Sequence, residues 1–267
     1  MSRRMDCEPA SERAFFGASA LLFAVSAAVT IARCTSMSAM AGMPICGSST
    51  ASMVWRPMPG QTWLGATASF LGMWVVMMVA MMLPSLVPTL WRYREAIGAR
   101  GEARRDRLTA LVGAGYFFVW TLFGMAAFPF GVALAAAGMQ LPAPARAVPI
   151  AVGAVVLIAG AFQFTAWKAR HLACCRAAPG RGRPLPAQAG AAWRHGLRLG
   201  LHCSYACAGL TAILLVSGVM DLRAMAAVAA AVTVERLAPD GARVAHVIGA
   251  VALAAGLFLI AQAAGLG

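Results

Sequence analysis

Long apolar segments alternate with short, Arg-rich polar segments along the whole chain. A membrane-spanning helix needs about 20 mainly apolar residues, and most of these segments approach or exceed that length. The pattern therefore predicts about seven spans, the sixth being short, at residues 14–32, 63–90, 108–137, 147–167, 197–219, 222–237 and 244–264. The first is expected to be a retained helix, because a second apolar segment follows it and no soluble domain remains to be exported.

Composition supports the same class of protein. The chain is 61% hydrophobic and 12% charged, with a mean hydropathy of +0.74, which is more apolar than a soluble core requires. The apolar segments are continuous rather than alternating, which excludes a β-barrel. The predicted fold is an all-α polytopic transmembrane helical bundle.

The positive charge is distributed unevenly between the two sides of this topology. With the N-terminus inside, all but four of the 22 basic residues fall on the cytoplasmic side, so the positive-inside rule predicts N-in and C-out. We expect a cytoplasmic N-terminus (1–13) and one transmembrane domain (14–264) in a bacterial inner membrane. Its main loops are 33–62 outside and 91–107 and 168–197 inside. A re-entrant 216–237 segment would instead give six spans and an inside C-terminus.

The net charge of +13 lies mostly in loops, so no nucleic-acid partner is expected.

The second apolar segment is rich in methionine. At 100° per residue, Met73, Met77 and Met81 share one helix face, and Met78 and Met82 form a neighbouring row. Thioethers are soft, uncharged ligands, but methionine also fills irregular apolar cores. The segment is therefore either a packing surface or the lining of a soft-metal site.

The fifth segment adds thiols and an imidazole. Cys203 and Cys207 are four residues apart and so lie one above the other on a helix face, and His202 is their neighbour. Together with thioethers these ligand types favour Cu(I), with zinc as the less favoured competitor. Helix rise places the cysteines at the depth of Met81 and Met82, in the inner half of the bilayer. A buried structural cysteine pair is the alternative.

Other soft-ligand residues lie outside the spans. Three methionines at a spacing of three occupy the outside loop, where they could capture copper or be incidental: Met37, Met40 and Met43. Cys34 and Cys46 of that loop could form a disulfide in an oxidising compartment. An inside segment offers a weaker docking or relay set: His171, Cys174 and Cys175.

No nucleotide-binding or hydrolase motif is present in the sequence, so no enzymatic activity is expected. Among the few polar residues of the spans, Gln163 and Glu235 lie on the inner side. We expect Glu235 to pair with Arg236 or Arg243 or to lie at the membrane interface.

Three sequence blocks, found within residues 73–85, 162–176 and 193–236, resemble the bacterial integral membrane proteins grouped as domain of unknown function 2182. The first, Met-Trp-Val-Val-Met-Met-Val-Ala-Met-Met-Leu-Pro-Ser, is the most specific. The resemblance implies a metal-binding membrane protein. The chain departs from the family pattern at Tyr205 and Ala206, where the family has Gly and a further Cys, so its site has fewer thiols.

These observations favour a protein that binds Cu(I) in its helical bundle for transfer, transport or delivery to a periplasmic metal chaperone or cuproprotein. A non-catalytic scaffold subunit, with Met and Cys as packing residues, is the main alternative. A redox enzyme that uses Cys203 and Cys207 is a third, because their Cα atoms would be about 6 Å apart, within disulfide range.

Overall fold

The computed structural model describes residues 3–41, 62–98, 101–140, 147–177 and 188–265. These residues form helices and no strands, which confirms the predicted all-α class. The helices are α1 Arg3–Ala41, α2 Trp63–Ile97, α3 Glu102–Gln140, α4 Ala147–Phe162, α5 Ala166–Arg176, α6 Ala189–Ser217, α7 Leu222–Leu237 and α8 Gly241–Ala264.

Five of the described helices, namely α1, α2, α3, α6 and α8, are long and apolar enough to cross a membrane. The fourth predicted span is not one straight helix, because α4 and α5 meet at a bend of 65°. Together they count as a sixth candidate span or a re-entrant segment. Helix α7 has the predicted bounds, but its 16 residues fall short of the length that a straight span needs.

The predicted inside loop at residues 168–197 is largely helical where the structure describes it. Thr165 caps the N-terminus of α5, its hydroxyl accepting a hydrogen bond from the Lys168 amide, as N-cap residues commonly do. Helix α6 begins at Ala189 rather than at residue 197, in an Ala-rich stretch of high helix propensity. Lys168 and Cys175 are therefore helix residues.

Helix α3 packs against both α2 and α6. On one side, Trp74 of α2 donates a hydrogen bond from Nε1 to the Trp120 carbonyl at 2.9 Å. On the other, α6 approaches the α3 backbone so closely that a Cβ on Gly196 would overlap the Val112 carbonyl oxygen. This close approach, which small residues allow, brings side chains of α3 and α6 into contact.

The Arg-rich helix ends gather at one end of the bundle. Arg94 near the end of α2 binds the Ser11 hydroxyl at 2.7 Å and pairs with Asp106 at the start of α3. Arg176 at the end of α5 donates to the Pro239 carbonyl at 2.9 Å. The segments predicted to be cytoplasmic thus lie together, and which side of the membrane they face stays a prediction.

Candidate metal centre

Two thiols of α6 lie side by side in the interior of the bundle. The sulfur atoms of Cys203 and Cys207 are 3.8 Å apart, and the two residues are 0% and 2% exposed. A metal–sulfur bond of about 2.3 Å gives a sulfur–sulfur distance of about 3.8 Å on the edge of a tetrahedron. The pair therefore has the separation at which one soft metal ion could bind both sulfurs.

A third thiol comes from α5. Cys175 is buried, and its thiol lies close enough to that of Cys203 for the two to interact. Across the described ranges, however, no three His, Cys, Asp or Glu side chains are arranged to hold one ion. The thiols thus offer a two-sulfur site with Cys175 beside it, and further ligands would have to be thioethers.

The methionine face of α2 points into the bundle. Met77, Met78, Met81 and Met82 are buried in the same core as Cys203 and Cys207. Met73 packs against this core and is partly buried. The structure thus gathers the predicted thioethers and the α6 thiols in one interior region.

A polar bridge connects the methionine helix to the cysteine helix. The Nη1 atom of Arg236, on α7, donates to Ser85 Oγ at 3.0 Å, to Tyr116 Oη at 3.4 Å and to Cys203 Sγ at 3.5 Å. Tyr116 of α3 also donates its hydroxyl to Cys203 Sγ at 2.9 Å. Arg236 therefore joins side chains of α2, α3 and α6.

This bridge also fixes the relative depth of the candidate ligands. Helix α2 is antiparallel to α3, and α6 is parallel to α3, since Gly196 and Gly200 of α6 contact Val112 and Tyr116 of α3 in the same order. Moving one turn from the bridge, away from the Arg-rich helix ends, leads from Ser85 to Met81 and Met82 on α2. It leads from Cys203 to Cys207 on α6. Met81 and Met82 are therefore about level with Cys207.

The sequence pattern does not point to Tyr116, and it groups Arg236 with the cytoplasmic basic residues. Arg236 is instead buried, at 7% exposure, beside the thiols. Its position within the predicted span 222–237 could have marked Arg236 as a candidate functional residue, because an ionisable residue in a span is a functional candidate by default.

Glu235 pairs with Lys168 and not with Arg236 or Arg243. Both of its carboxylate oxygens accept from Lys168 Nζ, at 2.9 and 2.8 Å, and both residues are 1% exposed. The expected partner was wrong because Lys168 lies after the bend between α4 and α5, in a segment that the sequence assigned to a loop. Buried charges are normally paired in this way.

His202 has a different neighbour from the one expected. Its Nδ1 lies 3.0 Å from Nδ1 of His171 on α5, and the rings of Trp167 and Tyr205 flank His171 at 4.4 and 5.1 Å. Adjacent residues of a helix point about 100° apart. The structure therefore brings His202 to His171 and brings Cys203 and Cys207 to the methionine core.

The remaining predicted residues lie apart from this core or outside the residues that the structure describes. Cys174 is exposed on α5. The side chains of Met37 and Met40, and the whole of Met43 and Cys46, lie outside the described residues. Cys34 is buried and donates from Sγ to the Met220 thioether at 3.7 Å.

A family model, PpoB2, described as copper chaperone, matches residues 71–259. The chain belongs to this family. The matched range contains the methionine face, Cys175, both α6 cysteines and Arg236. It agrees with the metal-related character expected from the sequence resemblance, although the family carries another name. Comparison with curated proteins and with solved structures gives no match.

Proposed function

We propose that this chain is a multi-pass membrane copper chaperone that holds Cu(I) between Cys203 and Cys207 and delivers it to a cuproprotein. The observation that carries the proposal is the buried pair of sulfur atoms 3.8 Å apart, within a methionine-lined core. The copper chaperone family supports the identity of the metal. Copper is cargo in this account, and no enzymatic step is proposed.

The ligand chemistry favours Cu(I) over zinc. Thiolates bind both Cu(I) and zinc, whereas thioethers are soft, uncharged ligands that suit Cu(I). Met81 and Met82, one turn before Ser85 on α2, are the proposed candidates for a third ligand. Met77 and Met78, one turn further out, continue the row of thioethers, and Met73 lies at its margin.

The wider path of the metal follows the predicted topology. In a bacterial inner membrane with the N-terminus inside, the methionine row would lead from the periplasmic face toward the thiols. The segment with Met37, Met40 and Met43 would then capture copper on the outside, where a metal chaperone or cuproprotein would be the partner. The lipid bilayer surrounds the bundle.

Metal content of the detergent-purified protein tests this proposal. After anaerobic loading with Cu(I) and removal of excess metal, inductively coupled plasma mass spectrometry should find about one copper per chain, the number that one two-thiol site can hold. The Cys203→Ser/Cys207→Ser variant should lose it, and Met77→Leu/Met81→Leu should hold it more weakly. Matched controls are Cys174→Ser, on an exposed cysteine, and Met125→Leu, on an exposed methionine.

The scaffold alternative makes the opposite prediction. Met→Leu nearly conserves side-chain volume, so a purely structural methionine core would tolerate the change without consequence. A folded protein that retains no copper, and whose variants behave like the wild type, would contradict the proposal and favour a scaffold.

A further inference from the structure

We propose that Arg236 is the specificity-determining residue of this centre, which restricts the cargo to a soft cation of charge +1. This inference rests on the proposed function, because it assumes that Cys203 and Cys207 bind the metal. It goes beyond that function by assigning the charge discrimination to one residue of α7.

Arg236 is a buried cation without a carboxylate partner among the described residues. Its Nη1 atom contacts two hydroxyls and the Cys203 thiol, while its Nη2 atom is buried with no hydrogen-bond partner in the described parts of the chain. The adjacent carboxylate of Glu235 is bound through both oxygens by Lys168. Among the described residues, the acidic groups that contact the guanidinium are therefore the Cys203 thiol and the Tyr116 phenol, and a thiol is the stronger acid of the two.

The charges of the centre can be followed through metal binding. Two metal-bound thiolates contribute two negative charges, and the guanidinium of Arg236 contributes one positive charge. Thioethers and the hydroxyls of Ser85 and Tyr116 are neutral, and the Lys168–Glu235 pair cancels internally. Cys175, which is not placed to share one ion with the other two, counts as a neutral thiol.

The protein groups around the ion thus sum to one negative charge. A cation of charge +1 makes the buried centre neutral, whereas a divalent cation leaves one uncompensated positive charge. An unpaired charge away from water is costly, and a helical bundle in lipid offers little solvent to relieve it. Arg236 therefore favours Cu(I) and disfavours divalent thiophilic ions.

A comparison of Ag(I) with Cd(II) separates charge from softness, because both ions bind thiolates and differ in charge. The full-length protein in detergent would be titrated with each ion, and bound metal measured after gel filtration, with Cys203→Ser/Cys207→Ser subtracted as background. We expect wild-type protein to bind Ag(I) at this site and to exclude Cd(II) at concentrations that saturate it with Ag(I). Wild-type protein that takes up Cd(II) at this site under those conditions would overturn the inference without any variant.

Substitutions at Arg236 then test the residue itself. Arg236→Met removes the charge. We expect the preference for Ag(I) over Cd(II), expressed as the ratio of their dissociation constants, to fall by about tenfold or more. A factor of ten corresponds to about 1.4 kcal/mol. Arg236→Lys keeps the charge and should restore the wild-type ratio. Arg236→Gln, which removes the charge but keeps a hydrogen-bond donor, is the second variant should Arg236→Met not fold, and the same fall in the ratio is expected.

The outcomes separate this inference from the proposed function. A wild-type protein that binds neither Cu(I) nor Ag(I) contradicts the proposed function, and the inference falls with it. In another outcome, the wild-type protein binds Cu(I) and Ag(I), and Arg236→Met weakens the binding of Ag(I) and of Cd(II) by the same factor. This result would support the metal centre and overturn the role of Arg236.

Discussion

At the scale of single residues, the centre depends on the direction in which neighbouring side chains leave α6. His202 and Cys203 are adjacent in sequence, yet their side chains contact different residues, because adjacent helix residues point about 100° apart. Cys207 returns to the direction of Cys203 after one turn. The i, i+4 spacing thus predicted the thiol pair correctly, whereas sequence adjacency did not bring His202 to it.

His202→Ala tests this division. We expect the variant to retain about as much copper as the wild type, because the described contact of His202 is with His171 and not with a thiol. The measurement is copper per chain after anaerobic loading, with Cys203→Ser as the positive control for loss. If His202→Ala loses as much copper as Cys203→Ser, the prediction is contradicted and His202 would be a metal ligand.

At the scale of helices, the centre depends on the close packing of α3 against α6. Gly196 lies against the Val112 backbone, and Gly200 lies against the Tyr116 carbonyl. This approach holds the Tyr116 hydroxyl 2.9 Å from Cys203 Sγ. The glycine face of α6 is therefore part of what positions the thiol.

Gly196→Val should separate these helices. The added side chain would overlap the Val112 carbonyl, and overpacking of this kind costs about 1–3 kcal/mol. We expect a lower midpoint in denaturant unfolding of the detergent-solubilised protein and weaker copper retention. Gly190→Val, on the same helix but with open space around its Cα, is the matched control. Equal behaviour of the two variants would contradict the role of this interface.

Apolar length and periodicity predict the long helices well, because those properties are local. The start of α5 and the burial of its Lys168 are not local properties. They depend on the 65° bend after α4 and on a partner, Glu235, that lies 67 positions further along the chain. A basic segment with Gly and Pro nearby is predicted to be a loop. An ion pair buried between two helices cannot be recognised from the sequence of either helix alone. The same holds for Arg236, whose partners come from three other helices.

At the scale of the whole molecule, the Arg-rich helix ends lie together at one end of the bundle. Contacts among Ser11, Arg94 and Asp106 join the ends of α1, α2 and α3. Arg92 Nη1 donates to the Arg176 carbonyl at 3.4 Å, which adds the end of α5. This arrangement agrees with the positive-inside rule and makes the side of the membrane testable through one exposed residue.

Cys174 is exposed on α5 near that end. In a variant with Cys7, Cys34 and Cys46 replaced by Ser, we expect a membrane-impermeant maleimide to label Cys174 in inside-out vesicles and not in intact spheroplasts. Cys174→Ser in the same background is the control for labelling of the buried thiols. Labelling of Cys174 in intact spheroplasts would contradict the N-in orientation.

The central claim is that a soft metal ion binds to sulfur atoms inside this membrane bundle. The most direct measurement is copper K-edge X-ray absorption of the anaerobically loaded, detergent-purified protein. We expect a Cu(I) edge and a first shell of sulfur atoms alone, which is lost in Cys203→Ser/Cys207→Ser. A first shell dominated by nitrogen or oxygen, or a sulfur shell that survives the double substitution, would contradict it.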